Sequence, residues 1–596
     1  MRRRRFLEML ARGAALGLSR PRGWAATSTL RRVRPGDPAW PDQAAWNALG
    51  ERVQGRLGRV DSPFATGQAS PELLKQLENP YFVGDQAWAT QSTGWAGAWR
   101  SSPSAYVVSA RTAEDVAAAV SFARTHRLRL VVKGGGHSYQ GTSNAPDSLL
   151  VWTHPMDGLV LHEAFVSQGC AGKMEPLPAV SVGAGALWLH TYDAVTTRGG
   201  RYVQGGGCAT VGVAGLVQSG GFGSFSKRYG MAAAGLLEAE VVTADGKVRT
   251  VNACTDPDLF WALKGGGGGT FGVVTRLTLR THALPDTFGA VLLTLQADSD
   301  AAYRRLIERF VAFYRSALFK PHWGEQVSFG PRNRLGVRML FQGLDQVRAE
   351  EIWRPFLAEW ERPGSGVRLD PERAVVSFPA RDFWNPEFLK AKLGAHVRAD
   401  PRPGAPGNNV WWASNQDELG IYWHGYESTW MPEVLLREDR QKDLASALYA
   451  GSRHWTVSLH FNKGLAGSPP EAVAGARDTA TNPAVLRAFA LAIIAGGGSP
   501  VHPGVPGHAA DENEAREDAR RIRLSMAELR KVVPDPGSYV SESNYFEKGW
   551  QRAFWGDNYA RLRAVKKRYD PTGLFFVHHG VGSDEWSPDG MSRVAG

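Results

Sequence analysis

The chain has 596 residues, of which 43% are hydrophobic, so more than one folded domain with sizeable cores is expected. Its formal net charge is +11, but residues 1–34 contain ten arginines and one acid, Glu8, and so carry +9 of that charge. The remaining +2 is too small for a basic face that binds phosphate backbones, which argues against a nucleic-acid-binding function.

The N-terminus is basic, then weakly apolar, then rich in small residues near Ala25 and Ala26. This order is typical of an export signal, and the stretch Arg4–Leu7 resembles the core of a twin-arginine signal. We therefore predict a signal peptide over residues 1–26, use of the export machinery and an exported (periplasmic or secreted) protein. A disordered basic tail is the alternative, because Glu8 and Arg12 interrupt the apolar part. No later segment reaches the roughly 18 apolar residues of a membrane span.

The next elements form a strand–helix–strand unit. Residues 27–93, rich in Pro, Trp and Gly, are predicted to be an N-terminal extension packed on the body. Tyr106–Ala110 is predicted to be a strand, and residues 113–126 a helix that begins with a capping contact between Thr112 and Asp115. Residues 128–132 form the second strand, which delivers the loop GGGHSYQG (134–141) to a strand end.

Further strands are predicted at residues 149–153 and 179–186, followed by a long run of small residues at 202–230. Residues 236–251 are predicted to form a hairpin around Asp245-Gly246. A short helix, five glycines and a strand from Val273 to Arg280 follow.

After about residue 285 the glycine loops stop. Residues 286–535 mix helices, such as 300–318, with aromatic-rich strands, such as 455–461, and are predicted to be a second α+β domain. Its Trp-rich segments suggest aromatic walls for a small-molecule organic substrate.

The glycine loops match neither the Walker A pattern nor the Rossmann GxGxxG pattern. Backbone N–H groups in such loops can nevertheless bind a pyrophosphate, because glycine removes the side chains that block its approach. Several such loops in one stretch of the chain predict an extended, phosphate-bearing cofactor. The three cysteines include no CxxC pair, so no structural metal site is predicted.

These loops carry a family resemblance. Residues 100–285 resemble the FAD-binding domain of the vanillyl-alcohol oxidase (p-cresol methylhydroxylase) superfamily, and the C-terminal NYFEKGWQRAFWGDNYARLRAVKKRYDPTGLFF resembles the tail of berberine-bridge enzymes. The resemblance implies an α+β chain with a two-subdomain PCMH-type FAD-binding domain at 94–285. Residues 286–535, which carry no such match, are predicted to be a substrate domain with an antiparallel sheet flanked by helices. The resemblance implies that the C-terminal segment at 536–596 returns to the FAD domain.

The resemblance also implies a doubly tethered FAD. His137 falls where the family links a histidine to the flavin 8α-methyl, and Cys208 where some members link a cysteine to flavin C6. The usual Cys-Pro-Thr is Cys208-Ala209-Thr210 here, and the usual Asn before Phe is Thr270. The predicted cofactor contacts are Gly134, Gly135, Gly136, His137, Ser138, Gly141, Gly207, Cys208, Thr210, Gly212, Gly215, Gly220, Gly221, Gly223, Gly272, Val273 and Asn558.

Both predicted flavin-linking residues, His137 and Cys208, have an alternative interpretation without a covalent bond to flavin. The alternative for His137 is a loop histidine that hydrogen-bonds the backbone. The alternative for Cys208 is a small buried hydrophobic residue. If Cys208 holds flavin, Cys170 and Cys254 remain, and in an exported protein they could pair.

Two residues are predicted to act in the reaction. Val211 falls at the family's oxygen gate, where a small branched residue tends to mark oxidases; ordinary packing is the alternative. Tyr545 is predicted to contact the substrate or act as base, with a structural aromatic as the alternative and Glu542, read as a solvated carboxylate, as a weaker rival. In the helix that follows, Lys566 and its neighbours Lys567 and Arg568 are expected at the surface.

The predicted function is oxidation of an organic alcohol, sugar or amine by hydride transfer to the flavin, with O2 as electron acceptor. Alternatives are a dehydrogenase that uses a quinone or protein acceptor, and a flavin-containing binding protein without turnover. A non-flavin nucleotide or phosphate binder is a further alternative.

Overall fold

The computed structural model describes residues 30–594, so the predicted signal peptide lies outside the described residues. The first twelve strands are β1 (Leu57–Arg59), β2 (Gly94–Trp95), β3 (Trp99–Arg100), β4 (Tyr106–Ser109), β5 (Arg129–Lys133), β6 (Ser148–Trp152), β7 (Leu159–Phe165), β8 (Leu177–Gly183), β9 (Arg201–Val203), β10 (Leu236–Val242), β11 (Val248–Asn252) and β12 (Val273–Ala283). The first eight helices are α1 (Gln43–Arg52), α2 (Pro71–Gln76), α3 (Pro80–Gly84), α4 (Ala113–Thr125), α5 (Trp188–Tyr192), α6 (Val213–Gln218), α7 (Ser226–Tyr229) and α8 (Pro257–Leu263).

The later strands are β13 (Thr287–Ala297), β14 (Trp323–Gly330), β15 (Arg334–Gln342), β16 (Val367–Leu369), β17 (Ala374–Pro379), β18 (Val397–Ala399), β19 (Val410–Trp412), β20 (Tyr422–Pro432), β21 (Val457–His460) and β22 (Ala488–Gly498). The later helices are α9 (Asp300–Phe313), α10 (Gln346–Trp360), α11 (Pro386–Lys392), α12 (Gln441–His454), α13 (Pro470–Arg477), α14 (Glu512–Arg530), α15 (Trp550–Trp555) and α16 (Tyr559–Tyr569). No helix within residues 30–594 is both long and apolar enough to cross a membrane.

The first sheet of the predicted flavin-binding domain has the strand order β1-β4-β6-β5. Strands β4 and β5 run parallel to β6, and α4 connects β4 to β5, which confirms the predicted strand–helix–strand unit. The predicted cap is also present, because the Thr112 hydroxyl accepts from the Asp115 N–H while the Asp115 carboxylate accepts from the Thr112 N–H. The apolar face of α4, formed by Val116, Val120 and Ala123, is fully buried.

The second sheet is antiparallel, with the order β11-β10-β12-β8-β7 and with β9 paired to the end of β12. The predicted hairpin around Asp245-Gly246 joins β10 to β11. Cys170 and Cys254 form a disulfide that ties the β7–β8 connection to the segment after β11. The pairing that the sequence left open is therefore present.

The substrate domain is built on a ten-stranded sheet, ordered β16-β13-β15-β14-β21-β22-β20-β2-β3, with β17 beside β13. Helices α9, α10, α12 and α14 cover one face of it, and Val327 and Phe329 of β14 belong to that helix-covered core. Their neighbours Gln326 and Ser328 alternate to the other face, which lines a cavity. The predicted antiparallel sheet flanked by helices is confirmed, with one parallel pair, β2 with β20.

The N-terminal extension packs on the first sheet as predicted. Trp46 of α1 stacks on Tyr106 of β4 with ring centroids 3.8 Å apart. Lys133 is buried at the end of β5, and its ammonium donates to three backbone carbonyls of the extension, those of Gln86, Ala87 and Ala89. The short strands β2 and β3, which follow the predicted boundary at residue 94, extend the ten-stranded sheet.

The C-terminal segment returns to the predicted flavin-binding domain through α15 and α16. Leu562, Val565 and Tyr569 form the buried face of α16. Lys566 was expected at the surface, and this expectation was wrong: it is 6% exposed, and its ammonium donates to Asp570 and to the carbonyls of Thr270 and Phe575. The buried ammonium therefore links α16 to the third glycine loop, residues 265–272.

The two ends of the described chain meet on one edge of the molecule. Arg31 and Ser592 form an antiparallel bridge. The Arg32 N–H donates to the Met591 carbonyl at 2.8 Å, and the Arg593 N–H donates to the Leu30 carbonyl at 2.9 Å.

Candidate functional site

A cavity of about 1360 Å³ lies between the glycine loops, the open face of the substrate-domain sheet and the C-terminal segment. Its volume exceeds the roughly 300–1,000 Å³ of pockets that hold one drug-sized ligand. The cavity can therefore hold a large, extended cofactor together with a substrate.

The first glycine loop (134–141) and the second (205–223) touch through their backbones. A Cβ atom on Gly135 would lie 2.7 Å from the Gly212 nitrogen and 3.0 Å from the Thr210 carbonyl oxygen, so only glycine allows this approach. The contact sets His137 of the first loop beside Thr210 of the second, with 3.0 Å between His137 Nε2 and the threonine hydroxyl. Among the described residues this is the hydrogen bond made by the His137 ring, and it leaves Nδ1 for another bond. Burial lowers the pKa of His137 to about 4, so the imidazole is neutral near pH 7.

Cys208 lies in the second loop and is the free cysteine of the described chain. Its sulfur contacts Asn415 Nδ2 at 3.5 Å. Burial first, and then the carboxylate of Glu418, raise the pKa of the thiol to about 12. Without a ligand the side chain is therefore a protonated thiol.

The structure brings many of the predicted cofactor residues to the cavity wall. Those that line it are Gly134, Gly135, Gly136, His137, Ser138, Gly207, Cys208, Gly212, Gly215 and Gly272, and Val211, the predicted oxygen-gate residue, lines it as well. The third glycine loop adds Thr270, whose buried hydroxyl has no hydrogen-bond partner among the described residues.

Four other predicted cofactor residues do not line the cavity but determine the backbone course of the loops. Gly141 has a φ of +68° and lies against the Trp99 ring. Gly220 and Gly221 have φ values of +107° and +74°. A Cβ atom on Gly223 would lie 1.6 Å from the Gly205 carbonyl oxygen.

Val273 and Asn558 are also predicted cofactor contacts, and neither lines the cavity. Val273 is buried in β12. Asn558 Nδ2 donates to the Thr481 carbonyl at 2.8 Å.

Tyr545, the predicted base, is not among the residues that line the cavity. Its ring stacks on His578 with centroids 3.7 Å apart, and its backbone carbonyl accepts from His578 Nε2 at 2.8 Å. Glu542, read from the sequence as a solvated carboxylate, does line the cavity. It forms an ion pair with Lys463 at 2.6 Å, and its side chain is 18% exposed. This segment therefore presents Glu542 rather than Tyr545 to the cavity.

Sequence reasoning missed Glu325, which lies in β14 and lines the cavity. Its φ is +63°, a left-handed conformation that is uncommon outside glycine and that often marks functional positions. The preceding Gly324 packs against the Ser224 backbone, where a Cβ atom would lie 1.8 Å from the Ser224 oxygen. That approach lets the Ser224 hydroxyl donate to the Glu325 carboxylate at 2.6 Å. Since the contact joins two distant segments, no local pattern announces it.

Burial raises the pKa of Glu325, opposed by the Ser224 hydrogen bond and by the charge of Lys463. A carboxylate with a raised pKa in a cavity is suited to accept a proton near neutral pH. Two further missed residues are Tyr139 and Glu418, joined by a hydrogen bond of 3.1 Å.

Family models match two parts of the chain: one described as an FAD binding domain matches residues 103–252, and one described as berberine and berberine like matches residues 538–582. An FAD-linked oxidoreductase of Trichophyton verrucosum is 30% identical, covering 94% of this chain and 92% of its own. A VAO-type flavoprotein oxidase of Thermothelomyces thermophilus is 28% identical, covering 99% and 98%.

Solved structures share the fold. A VAO-type flavoprotein from Myceliophthora thermophila C1 superposes with a TM-score of 0.74 at 26% identity, covering 94% of this chain and 98% of its own. Glucooligosaccharide oxidase from Acremonium strictum, which has a 6-S-cysteinyl, 8α-N1-histidyl FAD, gives a TM-score of 0.60 at 19% identity and covers 80% and 92%. A chitooligosaccharide oxidase gives a TM-score of 0.63 at 18% identity and covers 92% and 100%. The predicted fold class is confirmed.

Proposed function

Because this chain belongs to the FAD-linked oxidoreductases of the vanillyl-alcohol oxidase and berberine-bridge type, we propose that it is an oxidase with FAD held by two covalent bonds. The observation that carries this proposal is that His137 and Cys208 lie on two loops in backbone contact and line one cavity. A glucooligosaccharide oxidase of the same fold has its FAD on a histidine and a cysteine.

The residues present fit an FAD. The three glycine loops leave backbone N–H groups free of side chains along the cavity wall, where a pyrophosphate can be bound. The unpaired hydroxyl of Thr270 offers a further hydrogen bond. When bound, FAD supplies acceptance of a hydride from the substrate and return of both electrons to O2.

The two anchor residues differ in protonation state, and therefore in how readily each can bond to the flavin. His137 is a neutral nucleophile near pH 7, and its contact with Thr210 occupies Nε2, so Nδ1 is the atom that we assign to the 8α-methyl. Cys208 must lose a proton before its sulfur can bond to C6, and the Lys463 charge favours that loss.

Glu325 is the residue that we assign as proton acceptor, in place of Tyr545. It lies in the same wall as Cys208, and a Cβ atom on the adjacent Gly207 would be 3.8 Å from its carboxylate. The Ser224 hydrogen bond holds the carboxylate in position to take a proton from the substrate. Tyr545 instead supports the loop through its stack on His578.

The cavity lining supports our proposals for the substrate and the electron acceptor. Its aromatic and polar lining suits a small organic alcohol, sugar or amine, and two relatives of the same fold are named as oligosaccharide oxidases. Val211 lines the cavity three residues after Cys208, and this small branched side chain supports O2 rather than a quinone or protein as acceptor.

The linkage is tested on denaturing gels of the purified protein. Wild-type protein is expected to retain flavin fluorescence on the polypeptide, each single variant His137→Ala and Cys208→Ala to retain it through the remaining bond, and the double variant to lose it. Acid-resistant flavin on the double variant would refute the assignment. Peroxide released in stoichiometric amounts with substrate identifies an oxidase, whereas turnover that depends on an added quinone identifies a dehydrogenase.

We also propose export of the folded protein through the predicted signal over residues 1–26. The disulfide between Cys170 and Cys254 supports an oxidising compartment. Replacing Arg4 and Arg5 by lysine is expected to retain the protein inside the cell, and unchanged export would contradict the assignment.

A further inference from the structure

Lys133 is a buried cation that directly precedes the first glycine loop. It is 2% exposed, and its ammonium donates to the carbonyls of Gln86 at 3.0 Å, Ala87 at 2.6 Å and Ala89 at 3.0 Å. These bonds use all three N–H donors of the ammonium. Burial, rather than any charged neighbour among residues 30–594, lowers the pKa of Lys133 to about 7. A buried cation without a counter-charge costs free energy, so packing alone does not account for a lysine at this position.

The three carbonyls belong to one short part of the N-terminal extension, residues 86–91, which we name the clamp segment. Gln91 at its end donates its backbone N–H to the Gly136 carbonyl at 3.0 Å. Gly136 has a φ of +75°, and a Cβ atom on it would lie 3.5 Å from Lys133 Cδ. Gly136, the residue before His137, therefore lies between the Lys133 side chain and the clamp segment.

Other contacts hold the clamp segment in place. Asn144 Nδ2 donates to the Trp88 carbonyl at 3.1 Å. The Gly420 N–H donates to the Gln91 carbonyl at 2.7 Å, and just beyond these residues β2 pairs with β20. The clamp segment thus joins the first glycine loop to the substrate domain, and the Lys133 ammonium makes three of the hydrogen bonds that fix it.

Resting on the proposed function, we infer that Lys133 is a positioning residue for flavin attachment: it fixes the clamp segment and Gly136, and thereby places His137 for its bond to the 8α-methyl. Reaction of Nδ1 with that carbon needs an approach of about 3–3.5 Å, and a misplacement near 1 Å costs on the order of a hundredfold in rate. Without the ammonium, three buried carbonyls lose their donor, and the clamp segment has to shift to find other partners.

The attachment balances in atoms and electrons. One C–H bond of the 8α-methyl and the N–H bond of the imidazole break, and a C–N bond forms between Nδ1 and the methyl carbon. The two hydrogens and two electrons that are released reduce O2 to hydrogen peroxide. Lys133 exchanges no proton or electron in this reaction, so its role is geometric.

Lys227 provides a matched control. It is also fully buried, and its ammonium likewise donates to three backbone carbonyls, those of Gly464, Ala466 and Phe489. It follows the second glycine loop, and its acceptors belong to the substrate domain rather than to the clamp segment. Lys227→Met therefore removes the same group from the same kind of site without removing a donor from the clamp segment.

The test uses full-length apoprotein from riboflavin-starved cells, incubated with saturating FAD and sampled over time on denaturing gels. Lys133→Met is made in the Cys208→Ala background, where His137 is the remaining anchor, and in the His137→Ala background, where Cys208 is. We expect the rate of linkage to fall at least about tenfold in the first background and to stay within about twofold of the parent in the second. Lys227→Met should leave the His137 linkage at the rate of its parent. An equal loss of both linkages by Lys133→Met, or no loss of either, overturns the inference.

Asn144→Ala covers the case in which Lys133→Met does not fold. It removes a hydrogen bond to the clamp segment and is expected to slow the His137 linkage by about threefold. An unchanged rate of linkage in Asn144→Ala would also overturn the inference.

Hydrogen exchange separates failure of this inference from failure of the proposed function. If neither parent variant forms linked flavin, the two covalent bonds of the proposed function are refuted. Amide exchange of residues 134–141 then decides the role of Lys133, because it should be about tenfold faster in Lys133→Met than in wild-type protein and unchanged in Lys227→Met. Exchange at the wild-type rate in Lys133→Met overturns the inference.

Discussion

Gly135→Ala is the substitution that most directly tests how the first and second glycine loops meet. The added Cβ would lie 2.7 Å from the Gly212 nitrogen, and both are held by backbone, so the loops must separate by about 0.7 Å to restore ordinary contact at 3.4 Å. Overpacking of this kind costs about 1–3 kcal/mol of stability. The separation also moves His137 away from Thr210, and a misplacement near 1 Å costs on the order of a hundredfold in rate.

The assay combines three measurements on purified Gly135→Ala protein: flavin fluorescence on denaturing gels, the rate of anaerobic flavin reduction and the midpoint of thermal unfolding. We expect reduced linkage, a rate lowered by about tenfold to a hundredfold and a lower midpoint. Gly158→Ala is the control, since a Cβ atom there meets nothing within 4 Å. Wild-type linkage and rate in Gly135→Ala would refute the argument that backbone contact between the loops positions the anchors.

The remaining predictions address the base, the disulfide and the buried lysine. Because burial raises the pKa of Glu325 and the proposed reaction needs its carboxylate, kcat/KM should rise as pH rises through that pKa. In Glu325→Gln, kcat/KM should fall by about 10²–10⁴-fold and should no longer rise with pH in this range. If the variant keeps the rise, the pH dependence belongs to another group. The disulfide joins residues 84 apart in sequence, so replacing Cys170 and Cys254 by serine should lower the free energy of unfolding in urea by up to about 4–5 kcal/mol, and an unchanged unfolding midpoint would contradict this. Lys566→Met leaves the Asp570 carboxylate buried without its cation and should lower the free energy of unfolding by about 3–5 kcal/mol in the same assay. The double variant Lys566→Met, Asp570→Asn should recover part of that free energy. No recovery in the double variant would argue against the ion pair as the cause.

Local patterns predicted the parts of the fold that depend on near neighbours. The Thr112–Asp115 cap, the apolar face of α4 and the turn at Asp245-Gly246 are each set within a few residues, and all three are present. The loop GGGHSYQG was likewise found because its glycines are consecutive.

Long-range contacts account for what the sequence did not reveal. Lys566 is four residues after the buried Leu562 and so faces the core, but its burial is tolerable only because the carbonyls of Thr270 and Phe575 accept hydrogen bonds from its ammonium. Those acceptors arrive from other segments, and no helical pattern contains them. Glu325 could not be singled out from the sequence for the same reason, since the approach of Gly324 to Ser224 joins positions about 100 residues apart.

The bridge between Arg31 and Ser592 fixes the order in which the molecule can be completed. The segment around Leu30 and Arg32 takes its partners from Met591 and Arg593, so that edge stays open until the ribosome has released residue 593. This edge therefore closes only after the rest of the described fold has been synthesised, and loss of residues 591–593 would leave the segment around Arg32 without its docking site.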